Sequence, residues 1–216
     1  GNRRGQMTRR EVVQKCATLL QGVMEEHPES ATLKLALARV HHHLKEREES
    51  MALFEQIWKS QTPRSPFEFV KQHSAWAEAG LSYLKFALAK VGTEKDRAQR
   101  EEKLTDIEQR LAQIRGEVGD IAAVNDLAGR ISAARGNWIK ASMEFDQLSD
   151  RLGGAHVQTL LRAAASRMKL GEWGAAAESY RQALRLQPNL VRVRKKLARL
   201  YLAGRKYEDA KEQIDA

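Results

Sequence analysis

The stretch from Val157 to Leu190, VQTLLRAAASRMKLGEWGAAAESYRQALRLQPNL, constrains this chain more than any other. Its apolar positions recur at helical spacing, break at Gly171-Glu172, resume, and stop at Gln187-Pro188-Asn189. That pattern predicts two antiparallel helices joined by a tight turn. Ala164 in the first helix and Ala176 and Ala183 in the second are small enough to let the two axes approach closely, with Trp173 and Tyr180 expected to fill the space beside them. The segment GNWIKASMEF from Gly136 repeats the segment GEWGAAAESY from Gly171. Gly136, Trp138, Ala141 and Phe145 stand in step with Gly171, Trp173, Ala176 and Tyr180 at an offset of about 35 residues. Register of this kind implies stacked like units, each burying its apolar face only against its neighbours.

The repeated unit resembles a tetratricopeptide repeat, whose pattern is W-x2-L-G-x2-Y, then A-x3-F, then P. Ala163 and Ala164 stand at the L-G pair, Ala176 and Tyr180 at A-x3-F, and Pro188 at the proline, while Leu160 and Arg167 replace the first tryptophan and tyrosine. Leu197, Ala198, Tyr201, Tyr207 and Ala210 continue the pattern forward. The resemblance implies an all-α fold, a right-handed superhelical solenoid of helix-turn-helix repeats.

In chain order, residues 1–30 read as the second helix of a preceding repeat. Thr8 and Glu11 form its capping box, and Val12, Val13, Cys16, Leu19, Leu20 and Val23 its apolar stripe. Cys16, at a position where the repeat takes a small residue, is expected to pack. Residues 31–64 form the next repeat, with Leu37-Ala38 and Phe54 in pattern, Pro63 as its stop, and a turn at Lys45–Glu48 made without glycine. Residues 65–116 depart from the pattern. Ser65 caps, with Pro66 in the first turn and Glu68 as its partner. Trp76, Ala79, Gly80 and Tyr83 follow, and apolar spacing then runs on to Val91 before a second helix through Leu104, Ile107, Leu111 and Ile114. This predicts one enlarged helical hairpin whose tip, Val91 to Arg100, projects from the stack. Repeats at 117–155 and 156–190 follow, and a truncated one at 191–216. The absence of a capping helix after it implies a piece of a larger parent chain.

Catalytic signatures are lacking: no glycine-rich phosphate loop, no H-E-x-x-H, no nucleophile elbow and no C-x-x-C occurs in the sequence. The expectation is no enzyme and no cofactor. His41, His42 and His43 fan out by about 100° each on a helix, so they cannot share one metal ion. Trp138 and Trp173, recurring just after the turns, read as packing residues in equivalent environments. No run is long and apolar enough to span a bilayer.

A net charge of +9 points instead to acidic partners. In the helix from Val191, Val193, Leu197, Leu200 and Tyr201 hold one face, and Arg192, Lys195, Lys196 and Arg199 another. Four like charges on one face repel, so helix stability does not account for them. In the family, first helices line the groove where peptides bind; the equivalent positions one repeat back carry Gln158 and Arg162, and two repeats back Asp126 and Arg130. The predicted partner-binding set is therefore Arg130, Gln158, Arg162, Arg192, Lys195, Lys196 and Arg199. Arg192 and Lys196 resemble the last cationic pair of the subclass that clamps acidic chaperone tails, but Leu35 and Arg39 stand at its earlier sites, so that clamp is not expected here. The reading is a non-catalytic scaffold binding an acidic peptide or protein segment. The alternatives are nucleic acid on the same basic face, or a structural spacer in a larger assembly.

Overall fold

The computed structural model describes residues 7–60 and 66–215, with the side chains of 66–74 outside the description; the expected Pro63 stop and the Ser65–Glu68 cap lie outside the described residues. Eleven helices make up what is described: α1 (Arg9–Glu26), α2 (Ala31–Leu44), α3 (Arg47–Lys59), α4 (Pro66–Val91), α5 (Arg97–Val118), α6 (Ala122–Ala134), α7 (Trp138–Arg151), α8 (Val157–Leu170), α9 (Trp173–Leu186), α10 (Val191–Ala203) and α11 (Tyr207–Asp215). No strand occurs among the described residues, and no described helix is long and apolar enough to cross a membrane. The chain divides into two compact units, Gly1–Thr93 and Glu94–Ala216.

The repeat is written in the turn hydrogen bonds as well as in the sequence. Lys45, Gly136, Gly171 and Arg205 all take a left-handed φ, at 67°, 80°, 78° and 57°. Each is followed by the same bond from the next N–H back across the turn: Glu46 to the His41 carbonyl, Asn137 to Ser132, Glu172 to Arg167, and Lys206 to Tyr201. This closure satisfies carbonyls that the helix end would otherwise leave unpaired. Glycine is the unstrained choice at such a position, so Lys45 and Arg205 adopt it against their own preference.

In the first unit α1 packs on α2, α2 on α3, and α4 on both α2 and α3. Leu35, Leu37, Ala38, Leu53, Phe54, Ile57, Ala75 and Ala79 form the core. Ser50, at a position where the family has alanine, is fully buried and donates its hydroxyl to the Ala38 carbonyl at 2.8 Å. Trp58 and Trp76 stack with ring centroids 4.5 Å apart. The Thr8–Glu11 capping box forms as expected. Cys16 does not pack: it is exposed, and Ala17, Leu20 and Met24 turn inward instead. The three histidines diverge. His41 is buried with Nδ1 2.7 Å from the Glu46 carboxylate, His42 meets the Phe86 ring edge-on, and His43 is exposed.

In the second unit each helix packs on the next from α5 to α11. Ala141 and Phe145 on α7 are as buried as their repeat equivalents Ala176 and Tyr180 on α9. Phe145 lies over Gly129, where a Cβ would stand 2.7 Å from a ring carbon. Arg167 replaces the family tyrosine by bonding Asp146 at 2.6 Å and the Ser179 hydroxyl, which ties α7, α8 and α9 together. The two tryptophans differ from expectation. Trp138 is half-buried, with Lys169 Nζ 5.9 Å from its ring centroid, whereas Trp173 is 56% exposed. One repeat beyond Lys169 the chain carries Ala203 and Gly204, which have nothing long enough to cover Trp173.

Ala176 has no exposed surface at the close approach of α9. Ala176→Leu is expected to cost about 1–3 kcal/mol by overpacking, read as a lower urea midpoint with an unchanged slope.

Glu144 on α7 gives a pH signature. Burial pushes its carboxyl pKa up, opposed by the Ser132 hydroxyl at 3.0 Å and the charge of Lys140. A raised folded pKa means the native state holds this proton more tightly than the unfolded chain does. Its stabilising effect is full below the unfolded carboxylate range and is lost as pH rises through the folded value. Glu144→Gln is therefore expected to raise the thermal midpoint at neutral pH and leave it unchanged near pH ~3.

Candidate protein-interaction surface

The rotation of α10 about its axis is set by its buried side. Val193 and Leu197 are buried, and Leu200 and Tyr201 half-buried, in a cluster with Ala164, Leu161 and Met168 of α8 and Tyr180 of α9; Ala198 is buried beside them on the helix. Arg194 secures the entry to the helix by donating from Nε to the Pro188 carbonyl at 2.9 Å. At about 100° per residue, Arg192, Lys195, Lys196 and Arg199 then share one arc on the side away from the core, and all four are exposed. Val191 and Leu202, 60% and 47% exposed, border that arc beside Lys195.

Ion pairing separates these cations from much of their surroundings. In the second unit Arg115 pairs with Asp120 at 3.1 Å, Arg135 with Glu101 at 2.8 Å and with Glu108, Arg167 with Asp146, and Arg181 and Arg185 with Glu178. Helix α10 contains no acidic residue, and among the described residues none pairs with Arg192, Lys195, Lys196 or Arg199. Lys196 Nζ lies 5.9 Å from the Tyr180 ring centroid, a contact with the electron-rich ring face that leaves its charge uncancelled.

The remaining predicted residues form a separate arrangement. Arg162 on α8 pairs with Asp126 on α6, and Arg130 Nη1 lies 3.9 Å from the same carboxylate. Two guanidiniums thus share one carboxylate, leaving one positive charge. Burial lowers the Arg130 pKa, with the Arg162 charge adding and Asp126 opposing. Gln158, at the start of α8, is exposed. No hydrogen bond or ion pair among the described residues links this cluster to the α10 cations. Sequence reasoning placed Asp126 on the same line as Arg130 but missed that it neutralises Arg162. The available signal was their separation of 36 residues, close to one repeat, which brings neighbouring first helices side by side.

A second polar recess lies between α5, α6 and α7, about 230 Å³ in volume, with Arg115, Asp120, Asn125, Glu144 and Arg151 in its walls. Its charges are largely internally paired: Arg115 bonds Asp120 and Asn125, and Arg151 bonds the Asp120 carbonyl. Among the described residues no group of three or more His, Cys, Asp or Glu side chains could hold a metal ion.

A family model described as Tetratricopeptide repeat matches residues 167–216. Among curated protein sequences none matches the chain. Solved structures similar to it include TTC0263, a thermophilic TPR protein of Thermus thermophilus, at 17% identity over 88% of this chain and 91% of that one with a TM-score of 0.60. A tetratricopeptide repeat protein from Parabacteroides merdae aligns at 14% identity over 96% and 72%, with a TM-score of 0.62. YrrB, a TPR protein with an unusual peptide-binding site, aligns at 12% identity over 92% and 90%, with a TM-score of 0.57. Residues 167–216 thus carry the tetratricopeptide repeat signature, and the chain has the helical-repeat fold of these tetratricopeptide repeat structures.

Proposed function

We propose that the chain is a non-catalytic binding scaffold that engages an acidic segment of another protein through the exposed face of α10. The observation that carries this reading is the set of four cations on α10 with no acidic partner among the described residues, in a unit whose other arginines are mostly paired. The core contacts of Val193 and Leu197 fix the helix before any ligand arrives, so the receptor orders little on binding and charge-assisted hydrogen bonds are gained at low entropic cost. Val191 and Leu202 beside the cations suit a ligand that carries an apolar side chain next to its carboxylates. The Arg162–Asp126–Arg130 cluster, with one uncompensated charge, extends the same preference to α6 and α8. The peptide-binding site ascribed to YrrB is consistent with this use of the fold.

Arg192→Lys separates this from a generic cationic surface. Lysine keeps the charge but loses the planar fork that bonds a carboxylate through two N–H groups. The expected result is affinity for a glutamate-rich peptide reduced several-fold, with affinity for a single-stranded oligonucleotide little changed. Were nucleic acid the ligand, oligonucleotide affinity would instead fall with salt at a log–log slope of about −0.7 per phosphate contacted. Isothermal titration of both ligands at two salt concentrations makes the comparison.

A further inference from the structure

In the first turns of α5, Arg97, Arg100, Glu101 and Leu104 stand at i, i+3, i+4 and i+7 and so share one helix face. Leu104 is 1% exposed, which turns that face inward, toward α6. Between this face and the turn that joins α6 to α7 lies a recess of about 370 Å³, with Arg135 and Trp138 in its opposite wall. That volume falls at the low end of the range for small-molecule sites.

Unused donors gather in this recess. Arg135 is held by Glu101 at 2.8 Å and by Glu108, so its charge and that of Glu101 are already matched. Arg97 is exposed and has no ion-pair partner among the described residues. Arg100 donates from Nη2 to the Ala134 carbonyl at 2.6 Å, which fixes its guanidinium against the end of α6, yet its Nε is buried and bonds nothing. Among the described residues no other buried side-chain nitrogen or oxygen lacks a partner. A buried N–H without an acceptor costs stability, and folded chains rarely keep one without a use. The Trp138 indole N–H also has no acceptor among the described residues. It lies 3.9 Å from where a Cβ on Gly136 would stand, so the bare Gly136 leaves the recess open beside it.

We propose that this recess binds a carboxylate carried on a short apolar body. The carboxylate accepts from Arg100 Nε and from the Arg97 guanidinium, and the body lies against Ala133 and Trp138. A bare phosphate has the charge but nothing to cover those apolar walls. The site is built from α5, α6 and α7, so the inference is independent of the role assigned to α10.

Proton–nitrogen correlation spectra of the whole chain, titrated with phenylacetate, test it. The reporter is the indole signal of Trp138, assigned by its loss in Trp138→Phe. The expected result is a saturable shift of that signal, with a dissociation constant on the order of millimolar. Phenylacetamide, which keeps the ring and lacks the charge, should not produce it. Arg97→Gln should weaken phenylacetate by about fivefold or more. Because Arg97 is exposed and unpaired among the described residues, the variant's spectrum should otherwise match the parent's. Arg100→Lys should weaken binding as well, whereas Arg192→Glu on α10 should leave it unchanged. A short peptide ending in leucine, with a free or an amidated C-terminus, identifies the source of the carboxylate. Tighter binding of the free-ended peptide than of phenylacetate assigns the site to a chain end, and weaker binding assigns it to a small organic acid. A Trp138 signal that neither phenylacetate nor the free-ended peptide moves overturns the proposal and leaves Arg100 Nε to water. Equal shifts with phenylacetate and phenylacetamide, or tighter binding of inorganic phosphate than of phenylacetate, overturn the carboxylate assignment. Unchanged affinity in both Arg97→Gln and Arg100→Lys overturns the arginine site.

Discussion

Phe145→Ala is expected to cost about 3–5 kcal/mol of stability, the usual range for emptying a buried aromatic site. Phe145 is 1% exposed and packs with Ala141 and Ala163. Its ring occupies the space that Gly129 leaves by having no side chain, at 2.7 Å from where a Cβ would stand. The complementary change, Gly129→Ala, must displace the ring and is expected to cost about 1–3 kcal/mol. Because the two residues share one contact, the costs should not add. In a Phe145→Leu background the penalty of Gly129→Ala should shrink, with a coupling of at least about 0.5 kcal/mol. Chemical denaturation of the four variants measures the cycle. Additive penalties would mean that the ring does not rest on Gly129, and the close approach of α6 and α7 would have to be held by other residues.

The parts of this fold that were legible in the sequence are those where packing repeats with the chain. Ala141 and Ala176 are both fully buried, and Phe145 and Tyr180 nearly so, because a residue at the helix crossing must be small and its neighbour one turn on must fill the gap. The turns were legible for the same reason, through Gly136 and Gly171, although Lys45 and Arg205 perform the same left-handed step without glycine. What periodicity cannot decide is which of two adjacent stripes faces inward. In α1 adjacent stripes have the same spacing, and the contact with α2 covers Ala17, Leu20 and Met24 while Cys16 stays exposed. Trp173 was misread because its cover in the preceding repeat, Lys169, belongs to another helix, and the equivalent residues Ala203 and Gly204 are too short. The candidate surface was partly legible. The arc of cations on α10 follows from helical spacing alone, whereas the neutralisation of Arg162 by Asp126 depends on how α6 and α8 lie side by side.

That last distinction bears on where binding energy comes from. A guanidinium already paired with a carboxylate must give up that partner, or share it, to take a ligand, so Arg162 gains less from a new carboxylate than an unpaired cation does. The α10 cations have no such partner to lose among the described residues, and the gain there is limited mainly by removing water from exposed groups. On the proposed reading, Arg192 and Lys196 are expected to contribute most and Arg162 and Arg130 less, because of this difference in pairing rather than the number of charges present.

The double variant Arg192→Glu with Lys196→Glu therefore carries the largest expected effect on binding. It replaces two exposed cations with two anions on one face, which would turn attraction into repulsion for an acidic segment. Both residues are exposed and neither has an acidic partner among the described residues, so the fold should be retained, with the melting temperature lowered only slightly by loss of the Lys196–Tyr180 contact. The measurement is a calorimetric titration of parent and variant with a glutamate-rich peptide and with its glutamine counterpart, at low and physiological salt. The account predicts saturable binding of the acidic peptide to the parent, none to the variant, and none of the glutamine peptide to either. Equal binding of parent and variant, or weak binding of both peptides that vanishes at physiological salt, would contradict it and leave the α10 face as a solvated surface of a structural spacer.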